Sequence, residues 1–415
     1  MTKTLCTLSI CIFFYTALFA QASKIDSSQM RTLRIDPEAA RGATVSQLFD
    51  EVKFIPLETT KESLFGSISQ LELTNKYYII YDYDTKSILI FTKDGKYKNK
   101  ISSSKVEKDP NDKEDKNFYG FTLTKENNEP IIQVYTGRYF LYFNLEGKML
   151  RKVLSKDLPY GNAFKFTDGT TIKQAYTDKK DKDSTQYEIA LLKDDKELGK
   201  YFPYNKSRYK EDQFFTAGNN LTDYGVPDEF FCLTFYEYNI YKLSPKSLSL
   251  AYRVIFPASN SLPADFKTNP VYKNKRQEFF TKNPAVIYAV GNPYQIGDNL
   301  FFKTASFTWS NNKKNALVYH LKSGSMTSIN HLEPDSLSSF LPVTDAGYYY
   351  DFTNKGFHKF DGGYFYTSYS SLAMFAFKEQ NEKRNRKYND VLNHYFKTSD
   401  KKSNPIIVQL KPKKG

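Results

Sequence analysis

Four histidines are the side chains of this sequence best suited to acid–base or metal chemistry: His320, His331, His358 and His394. None of them lies three or four residues from another histidine or from a cysteine, so the sequence has no zinc-ligand pattern of that kind. His394 falls in a helical pattern and His358 in a strand pattern. No G-x-S-x-G motif, phosphate-binding loop or paired-cysteine motif is present. We therefore assign no catalytic residue, no metal ligand and no cofactor.

The three cysteines do not form a disulfide framework. Cys6 and Cys11 lie in an apolar N-terminal segment, and Cys232 lies in the strand-like run FFCLTF. A lone cysteine in such a run is most often a small core residue, because a disulfide needs a partner and a nucleophile needs a nearby base. We expect Cys232 to be buried in a large core that is stable without disulfides.

Two acidic runs resemble calcium loops in composition only. The runs KDPNDKEDK, residues 108–116, and TDKKDKDST, residues 177–185, lack the glycine at the sixth position and the closing glutamate of a helix-loop-helix calcium loop. Both are predicted to be solvated connectors.

Aromatic residues make up 16% of the chain, with 33 Tyr and 34 Phe, and indicate a protein rich in β structure. Most lie at strand positions and are predicted to pack in the core, for example Tyr77, Tyr78 and Phe301. A minority lie near turns, and Trp309 and Tyr348–Tyr350 could form a stacking platform for a sugar ring or a peptide.

The chain is basic, with a formal net charge of +13. Residues 378–415 contain 11 basic and 4 acidic residues, a net charge of +7. Such a region could bind an acidic glycan or another polyanion. Lysine and acidic residues alternate along most of the chain, however, which is typical of a solvated surface. Polyanion binding through the C-terminal region is kept as an alternative function, and no nucleic-acid partner is expected.

Residues 1–20, MTKTLCTLSICIFFYTALFA, are predicted to be a secretory signal peptide. They have a short basic start, an apolar run too short for a stable membrane span, and small residues near Ala20. Ile10 precedes Cys11, where lipid attachment requires a small residue, so a lipid anchor is not expected. The mature chain is predicted to be exported, periplasmic or extracellular, without a transmembrane span.

Strand-like runs recur around a short turn at a period of about fifty residues. The segment IIYDYDTKSILIFTKDGKYKNKI, residues 79–101, has its turn at Asp94, and later copies place equivalent turns at Glu146, Asp194 and Ser244. The offsets between these turns are 52, 48 and 50 residues. Four short strands repeated at this period are typical of a β-propeller blade.

Counting the copies predicts an all-β, six-bladed β-propeller. Two copies are less regular, namely ALVYHLKSGSMTSINHL, with its turn at Lys322–Gly324, and SSLAMFAFKEQ near the end. The six blades are predicted at residues 66–105, 118–156, 162–204, 219–258, 284–333 and 338–410.

Three further elements are predicted around the blades. The insertion SLPADFKTNPVYKNKRQEFFTKNP before the fifth blade is expected to be an exposed loop or short helix. An amphipathic helix is predicted over about 381–397, because apolar residues recur every three or four positions there. The ring is predicted to close by pairing Val52–Glu58 with a strand at about 404–410, since an open ring would leave unpaired strand edges.

The domain organisation follows from these elements. We predict a signal peptide over residues 1–20, an N-terminal lead-in over residues 21–50, and a single propeller domain over residues 51–415.

Several segments of the sequence resemble those of a known family. The segments VSQLFDEVKFIPLETT, ESLFGSISQLEL and YYIIYDYDTKSILIFTKDGKYKNKI, with a terminal NPIIVQLK after an amphipathic helix, are similar to the six-bladed β-propellers abundant among exported and lipid-anchored proteins of Bacteroidetes. The resemblance is strongest in the N-terminal hundred residues. It implies the six-bladed fold and export, and it carries no catalytic residue onto this chain.

The function predicted from the sequence is that of an exported, monomeric binding module. It would recognise a glycan, peptide or protein at one mouth of the propeller channel, through residues that the sequence does not identify. The alternative is a propeller hydrolase or lyase that acts on a glycan or lactone. Carboxylates with a histidine at the mouth would favour the enzyme, and an aromatic mouth would favour binding.

Overall fold

The computed structural model describes residues 22–106, 117–154, 164–177, 185–194, 196–205, 212, 220–308, 314–343, 357–382 and 386–415. In this part of the chain, no helix is both long and apolar enough to cross a membrane. The predicted signal peptide, the acidic run 108–116, most of the run 177–185, Trp309 and Tyr348–Tyr350 lie outside the described residues.

The chain begins with short elements that precede the first blade. These are β1 (Arg31–Arg34), β2 (Arg41–Thr44), α1 (Val45–Leu48) and β3 (Phe49–Pro56).

Six sheets, each with four antiparallel strands, then follow one another along the chain, and the predicted six-bladed propeller is confirmed. Blade 1 contains β4 (Gln70–Leu73), β5 (Tyr77–Asp82), β6 (Ser87–Thr92) and β7 (Tyr97–Ser102). Blade 2 contains β8 (Phe121–Glu126), β9 (Glu129–Tyr135), β10 (Tyr139–Phe143) and β11 (Met149–Leu154). Blade 3 contains β12 (Phe164–Lys165), β13 (Thr171–Thr177), β14 (Thr185–Lys193) and β15 (Lys196–Asn205). Blade 4 contains β16 (Asn220–Asp223), β17 (Phe230–Leu233), β18 (Asn239–Leu243) and β19 (Leu248–Ile255).

Blade 5 and the closing blade 6 complete the ring. Blade 5 contains β20 (Ile287–Ile296), β21 (Asn299–Ser306), β22 (Ala316–His320) and β23 (Met326–Glu333). Blade 6 contains β24 (Lys359–Asp361), β25 (Tyr364–Tyr369), β26 (Ile406–Pro412) and, as its fourth strand, β3. The α-helices described after α1 are α2 (Arg276–Lys282), α3 (Ser371–Glu382) and α4 (Asp390–Thr398).

The first strand of each blade lies near the propeller axis. β16 contacts β20 of the next blade, and β24 contacts β4 in the same way. The middle strands are buried on both faces, because each sheet packs against a neighbour on either side. Five of the six residues of β6 are buried, which explains its nearly continuous apolar sequence. The core consists mainly of the layers between blades, such as the buried cluster that contains Ile79 and Ile90 of blade 1 and Leu141 of blade 2.

The ring closes by antiparallel pairing of β3 with β26, as predicted. Ile406 lies opposite Pro56, Val408 opposite Phe54, and Leu410 opposite Val52. β3 is the outermost strand of blade 6, an edge position that suits Pro56 because proline has no N–H to donate.

Asn404 fixes this closure from inside. It is fully buried, and its side-chain oxygen accepts a hydrogen bond from the Phe65 N–H at 3.0 Å. Its amide donates to the carbonyl oxygens of Glu58 at 2.8 Å and Ser63 at 3.0 Å. One side chain therefore satisfies three main-chain groups of the segment between β3 and β4.

The N-terminal segment runs along the outer edges of several blades, an arrangement that the sequence analysis missed when it assigned residues 21–50 to a lead-in. β1 pairs in parallel with β19 of blade 4, and β2 pairs in parallel with β23 of blade 5. On blade 3, the N–H of Ser23 donates to the carbonyl of Lys200 at 2.8 Å. We call residues 22–44 the N-terminal strap.

Two predictions near the C-terminal end were wrong in detail. SSLAMFAFKEQ is not a strand-turn-strand copy but forms most of α3, since Ala, Leu and Met are strong helix formers and Ala373 and Met374 are buried. The helix predicted over 381–397 begins at Asp390, where the Asn389 side chain accepts from the Leu392 N–H at 2.9 Å and caps the helix. Its apolar face buries Leu392 and Tyr395, as the periodicity indicated.

Replacing Asn404 with leucine should lower the free energy of unfolding by about 2–5 kcal/mol, because buried main-chain groups lose their partners. The measurement is the urea midpoint of a protein comprising residues 21–415. Asn393→Leu, at an exposed position of α4, is the control and should change the midpoint little. Equal midpoints for the two variants would contradict the role assigned to Asn404.

Gly95 is the point where blade 1 meets the closing strand. Its φ is +86°, its carbonyl accepts from the Glu58 N–H at 2.8 Å, and a Cβ there would overlap the Pro56 carbonyl oxygen. Gly95→Ala should therefore destabilise the protein by about 1–3 kcal/mol more than Gly169→Ala. Gly169 has a similar φ of +89° with open space around it, so it isolates the cost of the clash. If the denaturant midpoints fall by the same amount in both variants, the clash of a Cβ at residue 95 with the Pro56 carbonyl oxygen has no measurable cost.

Candidate ligand-binding site

The insertion before blade 5 folds into a compact element that we call the cap, residues 256–286. It contains a short 3-10 helix, Pro270–Tyr272, and α2, so one of the two predicted alternatives is confirmed. Its chain leaves the outer strand β19 and enters the inner strand β20, which carries it across one face of the propeller. The turn between β17 and β18, residues 234–238, lies on the same face because β17 and β19 run in the same direction.

A buried ion pair holds the cap together. The Arg276 guanidinium donates to Oδ2 of Asp212 through Nη2 at 2.9 Å and Nε at 3.2 Å. Its third nitrogen, Nη1, donates to the Phe266 carbonyl. The Asn274 N–H donates to the other Asp212 oxygen at 2.9 Å. Both charged side chains are almost fully buried, and such a pair is tolerated because its hydrogen-bonding groups are satisfied.

Tyr236 joins the cap to the blade 4 turn. Its φ of +57° is an outlier for a bulky side chain, and strained backbone of this kind persists only where surrounding contacts hold it. Here the ring packs on Phe266 at 5.1 Å and Phe280 at 6.0 Å between centroids. The Arg276 guanidinium lies 5.4 Å from the ring centroid. Burial raises the pKa of Tyr236 to about 12, an effect that Arg276 opposes.

Next to Tyr236, the Glu237 carboxylate is surrounded by donors. Oε1 accepts from the Thr234 hydroxyl and from Lys267 Nζ at 3.3 Å. Oε2 accepts from Asn239 Nδ2 at 3.2 Å and from the Tyr241 hydroxyl at 3.4 Å. Lys267 belongs to the cap and the other donors to blade 4, so the carboxylate links the two elements. Burial, with Glu237 adding to it, raises the pKa of Tyr241, which therefore stays protonated as a donor.

Half-buried aromatic rings lie in the cap and in the blade 4 and blade 5 segments that it contacts. Tyr272 and Phe279 of the cap meet edge to face at 5.7 Å, and Phe280 stacks on Phe307 of blade 5 at 5.2 Å. Tyr288 packs against Phe307 at 5.6 Å. The half-buried rings of the cap and its neighbours form what we call the aromatic surface: Phe235, Tyr236, Tyr272, Phe279, Tyr288 and Phe307.

Cys232 belongs to the core cluster shared by blades 3 and 4 and is fully buried, as the sequence indicated. Burial raises the pKa of its thiol, and the carboxylates of Glu188 and Glu237 add to the effect. The thiol therefore stays protonated and unreactive at neutral pH.

The histidines are dispersed. Three of them contact a serine: His320 with Ser323 at 2.9 Å, His331 with Ser328 at 2.9 Å and His358 with Ser368 at 2.7 Å. His394 lies on α4, as predicted, and His358 lies just before β24. In the described part of the chain, no three residues among His, Cys, Asp and Glu are grouped so as to hold a metal ion.

Sequence reasoning did not find the residues of this site. It proposed Trp309 and Tyr348–Tyr350 as the stacking platform, and these lie outside the described residues. The aromatic run FYEY at 235–238 and the aromatic content of the insertion were the available signals, but they did not reveal that the two segments meet.

Comparisons with known proteins extend the description of the fold. A family model described as a domain of unknown function (DUF4934) matches residues 32–411. A Bacteroides fragilis protein, named as exported, superposes with a TM-score of 0.60 and 15% identity, over 92% of this chain and 99% of its own. No curated protein matches the sequence.

More distant structural matches include two enzymes. A luciferin-regenerating enzyme has a TM-score of 0.35 and 8% identity, over 86% of this chain and 95% of its own. The virginiamycin B lyase of Staphylococcus aureus has a TM-score of 0.29 and 13% identity, over 67% of this chain and 73% of its own. Similarities at this level give no information about activity.

Arg276→Met should loosen the cap, because it leaves the Asp212 charge buried without its partner, a change that costs about 3–5 kcal/mol in such pairs. We expect faster cleavage within residues 256–286 under limited proteolysis, mapped by mass spectrometry. Lys275→Met, at the exposed neighbouring position, should leave the cleavage rate unchanged. A cap equally resistant in both variants would show that the ion pair does not stabilise it.

Proposed function

The chain belongs to the DUF4934 family, and we propose that it is an exported binding protein that recognises a glycan at the aromatic surface. The observation that carries this proposal is that the same two segments supply rings and polar groups: Tyr236 packs on Phe266, and the next residues along the chain, Glu237 and Lys267, are hydrogen-bonded to each other. Binding sites for small ligands combine apolar and aromatic walls with a few fixed polar groups. A sugar ring suits this combination, because its C–H face packs on an aromatic ring while its hydroxyls exchange hydrogen bonds at the edge.

The rigidity of the site supports binding. The Arg276–Asp212 pair fixes the cap, and the cap fixes the strained Tyr236. A surface that is ordered before the ligand arrives loses little conformational entropy on binding.

The chemistry of the site favours binding over the alternative of a hydrolase or lyase. The four hydrogen-bond partners described for Glu237 include no histidine. Tyr241 and Cys232 both have a raised pKa, so neither supplies a base or a thiolate at neutral pH.

The alternative of polyanion binding through the basic C-terminal region receives less support around α3, where lysines pair with acidic residues. Lys378 pairs with Glu382 at 3.2 Å, and Lys401 pairs with Glu379 at 2.8 Å. These pairs mix the two signs of charge on the surface, as expected for a solvated region. In this proposal the protein acts as a monomer and uses no cofactor.

Glycan-array screening of residues 21–415, followed by calorimetry on the hits, tests the proposal. Tyr272→Ala and Phe279→Ala should each weaken binding at least tenfold, because ring truncation at a binding hot spot typically costs about 2 kcal/mol. Glu237→Gln should weaken it as well. The control is Tyr83→Ala, which removes an exposed ring (57%) between β5 and β6 of blade 1 and should leave affinity unchanged.

The outcomes separate the alternatives. If the protein binds a peptide in place of a glycan, with the same dependence on Tyr272, the proposed ligand class is wrong and the proposed site is correct. Glycan binding that survives both ring truncations would refute the site, and release of a cleaved product from a glycan or lactone would support the enzyme. Near-ultraviolet circular dichroism of each variant checks that the cap is intact.

A further inference from the structure

A cleft lies on the propeller face opposite the cap. The cap leads into β20 at Ile287, and β20 ends at Ile296, where the β20–β21 turn lies on the other face. A cleft of about 520 Å³ opens there between the turns of blade 5, α1 and the residues after β26. Its polar lining includes Gln47, Asp50, His320, Thr327, Lys413 and Lys414.

The wall formed by residues 413–415 is anchored by main-chain hydrogen bonds. The Lys413 N–H donates to the Leu48 carbonyl at 2.9 Å, and the Asp298 N–H donates to the Lys414 carbonyl at 2.7 Å. The Asn299 side-chain amide donates to the Lys413 carbonyl at 3.1 Å. Gly297, with a φ of +57°, leaves room for the Lys414 carbonyl that a Cβ would fill. The cleft is therefore a built part of the fold.

Hydrogen bonds to two residues of the lining, His320 and Gln47, use an acceptor atom of each side chain. His320 Nδ1 accepts from the Ser323 N–H at 3.1 Å, so the neutral ring carries its proton on Nε2. Gln47 Oε1 accepts from the Thr44 N–H at 2.8 Å, which leaves the Gln47 amide as a donor. Among the residues that the structure describes, the ammonium groups of Lys413 and Lys414 have no ion-pair partner.

We propose that this cleft binds an oxyanion group, a sulfate, phosphate or carboxylate. The lining contains the side chains of Lys413 and Lys414 together with Asp50, and His320 and Gln47 add neutral donors. Hydrogen bonds from charged donors to oxyanions are stronger than those between neutral groups, so this donor set selects an anion over a neutral ligand. The site lies on the other face from the aromatic surface and does not depend on the proposed function.

The test uses sodium sulfate, sodium phosphate and sodium acetate as separate probes, at an ionic strength held constant with sodium chloride. Ring signals of the histidines are followed by NMR, with His320 assigned from the His320→Asn variant. We expect a saturable shift of the His320 signals with at least one probe, while those of His394, exposed on α4, stay unchanged. The preferred probe identifies which oxyanion the cleft selects.

Two substitutions locate the effect. Lys413→Gln with Lys414→Gln should raise the dissociation constant at least tenfold, whereas Lys397→Gln with Lys402→Gln removes the same charge at exposed positions outside the cleft and should change it less than twofold. His320→Asn keeps an acceptor for the Ser323 N–H but removes the Nε2 donor, and calorimetry should show severalfold weaker binding.

Three results would overturn the proposal. The first is the absence of a saturable shift with all three probes. The second is an equal loss of affinity in the two double-lysine variants, which would indicate only long-range attraction. The third is unchanged affinity in His320→Asn.

Discussion

The antiparallel pairing of β3 with β26 is the interaction on which the rest of the molecule depends. It joins residues more than 340 positions apart and converts an open row of sheets into a ring. Asn404 reinforces it by satisfying main-chain groups of the segment that leads into blade 1. Without this closure, blade 6 would lack its outer strand and blade 1 would lose the neighbour against which Tyr78 and Leu89 pack. Both ligand sites proposed above require the relative positions of blades that only a closed ring fixes.

The blades could be predicted from the sequence because the strands of each blade are close together in the sequence and are joined by short turns. Each turn between the third and fourth strands is a short hairpin, so the recurrence of Asp94, Glu146 and Asp194 is visible at a fixed spacing. The strap could not be predicted, since β1 has four residues and its partner, β19, lies over 200 positions away. SSLAMFAFKEQ was misread because a short apolar run suits a buried strand or a helix equally well.

The candidate site was hidden for a related reason. Asp212 and Arg276 are 64 positions apart, and no pattern in either segment indicates that they pair. The left-handed backbone of Tyr236 gives no sequence signal, because a residue of this kind adopts it only under tertiary constraint. Composition did indicate an aromatic surface, but its location required the path of the cap from the rim of blade 4 to the axis of blade 5. In the same way, the burial of Cys232 could be expected from its apolar neighbours, while its proximity to Glu188 and Glu237 could not.

The N-terminal strap has a consequence for the order in which the protein acquires its structure. Residues 31–34 are synthesised early, yet they pair with residues 252–255, and β3 must await residues 406–412. Long-range pairing of this kind slows folding and leaves strand edges exposed in the meantime. β1 therefore remains without its native partner until residues 252–255 have emerged, and β3 until residues 406–412 have emerged. The ring can be completed only after chain synthesis is nearly finished.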